Sequence, residues 1–278
     1  MVSQKPTETI VLSIAGSDPS GGAGIQADIK TCTVLGVFCG AAITCLTVQN
    51  TRGVLSVHPV APELVKKQIE YVLEDIQVSH IKIGILGSPA VAVSICDVLA
   101  NFSGEIIYDP VLVSSSGQKL IEREGYSIIR NKVLPICTVA TPNLSELAVL
   151  AEQECVTRDQ LYGAARKLLQ QNKKLRVIIV TGGHFDPGKD SITDFLVTRS
   201  DFSTQVECEE ICHERIQTRN THGTGCTFST AFTAFHLLSG GDDSASFHKA
   251  AMYMDNILRK SAHGLIGHGN GPLLHYLK

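Results

Sequence analysis

The chain has no tryptophan, and only 5% of its 278 residues are aromatic. Single-stranded nucleic acid is held on platforms of stacked aromatic rings, so this chain is poorly equipped to bind it. It also lacks an excess of either charge. The formal net charge is −3, which invites neither a nucleic-acid backbone nor an anionic membrane. No apolar run approaches the roughly 20 residues of a membrane span. The run Ile10 to Ala15 is also too short for a signal sequence. No G-x-x-x-x-G-K-[ST] occurs, which excludes a P-loop, and no G-x-S-x-G elbow is present to support Ser-His-Asp hydrolysis. Disulfides are not expected. The nine cysteines are odd in number and scattered, and Cys32, Cys45, Cys96 and Cys137 lie in apolar runs where cysteine acts as a small hydrophobe. A reduced, cytoplasmic, globular protein is the expectation.

What the chain does have is alternation. Short apolar runs at 9–15, 41–47, 81–86, 106–108, 139–140 and 177–180 read as buried strands. Helical spacing separates them at 23–35, 62–75, 89–99, 145–151 and 158–170, with Pro62 and Pro89 opening two of the helices. Such alternation predicts an α/β fold: a mostly parallel central sheet with helices on both faces, a three-layer α/β/α sandwich. Runs at 191–197 and 206–211 read as a late antiparallel pair, and 243–260 as a closing helix. No linker or repeat interrupts residues 1–278, so a single domain is expected. In such sheets function gathers at the carboxyl ends of the strands. The polar residues that follow the apolar runs are therefore the candidates: the loop after Ala15, Asp109, Asn143 and Thr181.

The most informative stretch is Asn220-Thr-His-Gly-Thr-Gly-Cys-Thr227, followed by an apolar helix from Phe228. The first amides of a helix have no partner within it, and the helix dipole adds partial positive charge. Gly223, Thr224 and Gly225 thus read as an anion hole for a phosphate whose charge grows during transfer. Cys226 falls in the first turn, where the same field favours a thiolate able to act as base. His222 is a rival base. The first glycine loop carries Gly22-Ala-Gly24-Ile-Gln-Ala27, a G-x-G-x-x-A match. Its glycines lie past the strand end, and no acidic residue closes the next strand, so a loop over a small substrate fits better than a dinucleotide fingerprint. Asp28, inside an apolar helix, reads equally as a solvated surface residue or a pocket charge. Asn143 and Glu146, three apart, fit a capping box, with a hydrated Mg²⁺ site as the alternative. Cys208, Cys212, His213, His222 and Cys226 do not have the usual zinc spacing.

Together, Ala15–Thr31, Thr47-Val-Gln-Asn-Thr-Arg-Gly53, Lys82-Ile-Gly84, Thr141–Glu146, Gly182-Gly-His184 and Thr221–Cys226 resemble the ribokinase superfamily. The closer resemblance is to the hydroxymethylpyrimidine/phosphomethylpyrimidine kinases of thiamine biosynthesis. It implies a ribokinase-like fold, ATP and Mg²⁺, and two successive phosphorylations of an aminopyrimidine, in a cytoplasmic homodimer with no nucleic-acid or membrane partner. It assigns substrate contacts to Gln49, Asp28, Gly16, Ala23 and Val111. Nucleotide contacts fall on Asp109, Asn143, Thr181 and Gly183, and the metal on Asp109, Asn143 and Glu146. Gly223, Thr224 and Gly225 become the anion hole, with Cys226 as base. Two positions depart from the family pattern: Ile85 stands where Met is frequent, and Thr181 where Lys is frequent. The alternatives are a pyridoxal kinase and, from another class, a non-catalytic nucleotide or pyrimidine sensor on the same fold.

Overall fold

Strand β1 (Ile10–Ser17) shows how the fold is laid down: its side chains alternate between two buried faces. Leu12 and Ile14 point into one apolar cluster and Val11 into another. In the computed structural model, which describes residues 9–113, 117–118, 120–121, 123–182, 190–199 and 206–277, this strand lies inside a nine-stranded sheet. Helix α1 (Gly24–Val34) crosses from it to the parallel β2 (Phe38–Asn50), and β3 (Gly53–Pro59) turns back antiparallel at the edge. After α2 (Pro62–Asp75) the chain returns to the other side of β1 with β4 (His80–Ile83). The strands β5 (Glu105–Tyr108), β6 (Val139–Ala140) and β7 (Val177–Val180) follow in parallel. The antiparallel β8 (Ser191–Arg199) and β9 (Val206–Glu214) close the sheet.

The sheet order β3-β2-β1-β4-β5-β6-β7-β8-β9 places a switch point between β1 and β4. Open α/β sheets bind ligands at such a point, outside the carboxyl ends of the strands. One face is covered by α2, α3 (Pro89–Leu99), α5 (Leu144–Ala151) and α6 (Arg158–Gln171), packed over Leu12, Ile14, Ile81, Ile83 and Ile178. The other is covered by α1, α7 (Thr224–Leu238) and α8 (Asp243–Ser261), with Phe228, Phe232 and Phe247 over Ile107, Val139 and Ile179. This is the expected three-layer α/β/α arrangement. Ile83 is fully buried in it, and cutting that side chain to Ala would cost about 2–5 kcal/mol.

Two elements depart from the sequence reading. Strand β3 was not expected: its Val54 and Val57 are only partly buried and Leu55 is exposed, so neither alternation nor a continuous apolar run marks it. A short helix, α4 (Arg123–Ile128), also lies where no helical pattern was read, and it runs on through one wider and one tighter turn to Ile136.

Candidate active site

The loop after β1 is organised by one carboxylate. Asp18 is nearly inaccessible to solvent. Its Oδ1 accepts from the amide (2.8 Å) and hydroxyl (2.7 Å) of Ser20, and its Oδ2 from the amides of Gly22 (3.0 Å) and Ala23 (2.8 Å). Gly24 then enters α1 with φ of 57°, where a side chain would meet the Gly16 carbonyl oxygen at 2.2 Å. Gly16 is equally confined, with room for no more than hydrogen beside Cys45 and Ile85. Those two residues, with Leu120 and the adjoining Val111, form a small apolar wall. Gly16, Ala23 and Val111 therefore line the same end of the sheet.

Beneath that loop lies a buried ionic cluster. Ser13 on β1 and Lys82 on β4 are register partners. Both are fully buried, because α1 and α7 cover their face. Asp28 of α1 completes the set. It accepts from Ser13 Oγ (2.6 Å), Thr230 Oγ1 of α7 (2.7 Å) and Lys82 Nζ (3.0 and 3.1 Å). The solvated-surface reading of Asp28 is thus overturned: it is fully buried, and its oxygens are committed to the interior. Lys82 also reaches Asp109 Oδ2 at 3.7 Å, an ion pair too long for a hydrogen bond. That leaves Asp109 Oδ2 buried without a hydrogen-bond partner among the described residues. Burial opposes the Lys82 charge, but Asp28, Cys226 and Asp109 outweigh it and hold the ammonium above its ordinary pKa. Burial also pushes Asp109 up to about 6, opposed by Lys82 and helped by Asp28.

Cys226 faces the same cluster, and the cluster works against the expected helix-activated thiolate. Burial pushes the Cys226 thiol up to about 12; Lys82 pulls the other way, while Asp109 and Asp28 add to the rise. A backbone hydrogen bond from Gly24 favours the thiolate only weakly by comparison. Two nearby carboxylates and partial burial outweigh the field of one helix end. The surroundings thus favour the thiol form of Cys226, which lies against Asp109.

The turn that leads into α7 is shaped by glycine. Gly223 precedes α7 with φ of 83°, and a Cβ there would lie 1.8 Å from the Gly22 carbonyl oxygen. Only glycine lets the two loops meet backbone to backbone. The first α-type bond of α7 runs from Thr227 N–H to Gly223 O, so the amides of Gly225 and Cys226 precede the ladder. Gly225 is exposed, and a Cβ on it would have Asp109 Oδ1 as its nearest neighbour at 4.0 Å. The hole therefore opens toward Asp109. Gln49, near the end of β2, contacts Asp18, which accepts from His222 Nε2 at 2.8 Å. Gln49 and the anion loop are thus joined through a single carboxylate.

Asn143 and Glu146 form a complete capping box for α5, with Glu146 N–H donating to Asn143 Oδ1 and Asn143 N–H to Glu146 Oε2, both at 2.9 Å. Leu112 N–H donates to Glu146 Oε1 at 3.4 Å. The local reading as a cap is therefore what these two residues do here. Burial, then Asp109, pushes Glu146 up to about 8 against the bonds from Asn143 and Leu112. A carboxyl so disfavoured as an anion is suited to a nearby cation. Thr181 bridges Asn143 in parallel, which brings these two candidates side by side. Gly183 lies outside the described residues.

The family model for phosphomethylpyrimidine kinase matches residues 18–274. The chain belongs to this family. A hydroxymethylpyrimidine/phosphomethylpyrimidine kinase of Haemophilus influenzae is 38% identical over 271 residues, spanning 96% of each chain. A phosphomethylpyrimidine kinase from Clostridium difficile superposes with a TM-score of 0.76 at 30% identity, covering 90% of this chain and 99% of that one. An ADP complex of Bacillus subtilis pyridoxal kinase gives 0.84 at 28% identity, covering 96% and 97%. The chain spans about half the length of several bifunctional thiamine-biosynthesis relatives that it also matches. For a phosphomethylpyrimidine kinase family member, the residue that sequence reasoning undervalued is Lys82. The signal was present: a lysine between Ile81 and Ile83, in a strand that is apolar on both sides, must find buried carboxylates. Asp18 is a second such residue, and nothing in its sequence neighbourhood announces a partner 204 residues away.

Proposed function

We propose that this chain, acting as one domain over residues 1–278, transfers the terminal phosphoryl group of ATP to 4-amino-5-hydroxymethyl-2-methylpyrimidine. Its monophosphate is then the second substrate, as in thiamine biosynthesis. The observation that carries the reading is the junction of Gln49, Asp18 and the Gly223–Cys226 hole at the β1/β4 switch point, in a chain of this family. An amide side chain both donates and accepts, which suits the amino-nitrogen edge of the pyrimidine. Gly16, Ala23 and Val111 supply the walls beside it, and Asp28 acts from below by fixing Lys82.

Phosphoryl transfer needs positioning and charge neutralisation more than covalent help. The amides of Gly225 and Cys226 meet the charge on the migrating group, with Thr224 shaping the loop. Cys226 accepts the hydroxyl proton while its own passes to Asp109, with Lys82 holding the pair together. Asp109, Asn143 and Thr181 form the nucleotide side, to which the family resemblance adds Gly183. Asp109 and Glu146, with Asn143, are hard-oxygen donors that would suit a water-rich Mg²⁺ rather than an all-protein cage, and Asp109 Oδ2, 3.7 Å from Lys82 Nζ, has no hydrogen bond among the described residues. Mg²⁺ supplies neutralisation of phosphate charge when bound. Mg²⁺, a homodimer and a cytoplasmic setting all rest on the family resemblance. No helix among the described residues is long and apolar enough to cross a membrane.

The test is product identity. Incubation with ATP and the hydroxymethylpyrimidine should yield the mono- and then the diphosphate by mass spectrometry. Phosphorylation of pyridoxal alone would move the assignment to the second reading, which the fold match to pyridoxal kinase favours. ADP release with neither ring would leave the sensor. Cys226→Ala should lower turnover by about 10²–10⁴-fold with pyrimidine binding unchanged. Full turnover in that variant would remove Cys226 from the role of base.

A further inference from the structure

We infer that His222 and Asp18 form a latch that sets the anion hole against the substrate loop, and that His222 is a positioning residue rather than the base. The inference rests on the kinase reading for its catalytic consequence, but its geometry is independent of it. His222 immediately precedes Gly223, and its Nε2 lies 2.8 Å from Asp18 Oδ2. Asp18 is a carboxylate that already takes four donors from Ser20, Gly22 and Ala23. It has no proton to offer, so His222 Nε2 donates and carries the hydrogen. That nitrogen cannot also accept a proton from a substrate hydroxyl.

The ring is held from several directions. A Cβ on Gly22 would lie 2.3 Å from His222 Cδ2, so the substrate loop rests directly on the imidazole. Behind it, His222 N–H donates to Gly271 O at 3.0 Å, and the backbone pairs with Pro272. That C-terminal segment also donates from the amides of His268 and Gly269 to Thr51 Oγ1, both at 3.2 Å, in the turn just past Gln49. Thus the Asp18 loop and the Gly223 turn meet at one imidazole, and the hairpin carrying Gln49 is tied to them through residues 268–272. A carboxylate that orders five donors, one of them from a loop 204 residues distant, fixes the gap between the pyrimidine and the phosphoryl hole. Misplacement of that gap costs transition-state stabilisation more than ground-state binding.

The experiment compares His222→Ala, His222→Gln, Asp18→Asn and the double variant Asp18→Asn/His222→Ala with the wild-type chain. Each is assayed with the hydroxymethylpyrimidine and ATP, and each is followed by amide hydrogen exchange over residues 221–226. A latch predicts a roughly 10- to 100-fold fall in kcat for His222→Ala and for Asp18→Asn, with smaller changes in the pyrimidine KM. Glutamine places an amide donor near the position of Nε2 but cannot act as base, so His222→Gln should recover most of the loss. The double variant should be no worse than the poorer single one. Exchange over 221–226 should rise in every latch-breaking variant, whatever ring the wild type phosphorylates. His222→Gln as inactive as His222→Ala would identify a base and overturn the latch. So would additive losses in the double variant, or unchanged exchange in Asp18→Asn. If the wild-type chain phosphorylates no pyrimidine while exchange still rises in the variants, the kinase reading fails and the latch stands.

Discussion

Helix α7 touches a buried polar network at each of its ends, and the two are built to opposite specifications. At its amino end, Cys226 and Thr230 join Lys82, Asp28 and Asp109. At its carboxyl end, His236 Nδ1 lies 2.9 Å from His80 Nε2, and Arg176 binds Glu105 (2.7 Å) and Asp243 (3.1 Å) beside it. The second network is closed. Arg176 meets both carboxylates, Ser79 Oγ lies 2.9 Å from His80 Nδ1, and bonds from Thr138 and Arg176 hold Glu105 below its ordinary pKa although burial opposes this. In the first network two carboxylates share one ammonium, one oxygen lacks a hydrogen bond, and both Asp109 and Cys226 are pushed away from their charged forms. Burial of polar groups alone does not distinguish a site from a brace. What distinguishes it is incomplete satisfaction beside a glycine-lined opening, and only the amino end of α7 has both.

The largest effect that would break this comparison is removal of the shared cation. Lys82→Met keeps the apolar stem but leaves Asp28 and Asp109 buried without their ammonium. We expect a loss of about 3–5 kcal/mol of stability, because breaking a buried pair strands the remaining charge. Urea unfolding at neutral pH measures it. A loss under 1 kcal/mol would mean that neither Asp28 nor Asp109 depends on the ammonium, both carboxyls taking up protons at little cost once it is gone.

Much of this was legible in the chain. Strands at the tips that deliver Asp109, Asn143 and Thr181 were marked by short apolar runs, and the helices opened by Pro62 and Pro89 end where their spacing says. The edge strand β3 escaped because half-exposed edges carry neither alternation nor a buried run. In the site, the glycines of the hole were readable because backbone shape is a local property. The state of Cys226 was not. Its helix end is written locally, but the two carboxylates that outweigh it, and the lysine that opposes them, come from α1, the end of β5 and β4, and no spacing records their convergence. Asp28 was ambiguous for the same reason: a charge in an apolar helix is solvated or paired according to what packs on it, here Ser13, Lys82 and Thr230.

The closed network gives the second test, and it runs through pH. Burial, then His236, pushes His80 down to about 4 from 6.5. The folded state therefore binds fewer protons than the unfolded one between these values. The stability His80 contributes is present above pH 6.5 and is lost as pH falls toward 4. At pH 5 that loss is about 2 kcal/mol for this group. His80→Gln, which does not titrate, should lose about 2 kcal/mol less than the wild type between pH 7.5 and pH 5 in urea midpoints. Equal losses in the two proteins would place the acid sensitivity elsewhere, with His275, which burial also pushes down to about 4, as the next group to replace.

The smallest effect sharpens the contrast, because the active-site end has the opposite sign. Burial, then Asp109, pushes Glu146 up to about 8 from 4.5. An acid whose folded pKa lies above its unfolded one favours folding when protonated, and its destabilising charge grows as pH rises from 4.5 to 8. Glu146→Gln removes that charge yet keeps the capping box, since glutamine also accepts from the amide of Asn143. The ligand-free fold should gain about 0.5–2 kcal/mol at pH 8 and nothing at pH 4, the reverse of the trend at His80. On the kinase reading, the same variant should raise the Mg²⁺ concentration needed for half-maximal turnover. A gain in stability with an unchanged Mg²⁺ requirement would make Glu146 a cap alone and leave Asp109 as the carboxylate facing the metal. A loss of stability at pH 8 would show that Glu146 is ionised and well paired in the folded chain, and the contrast in sign with His80 would then fail.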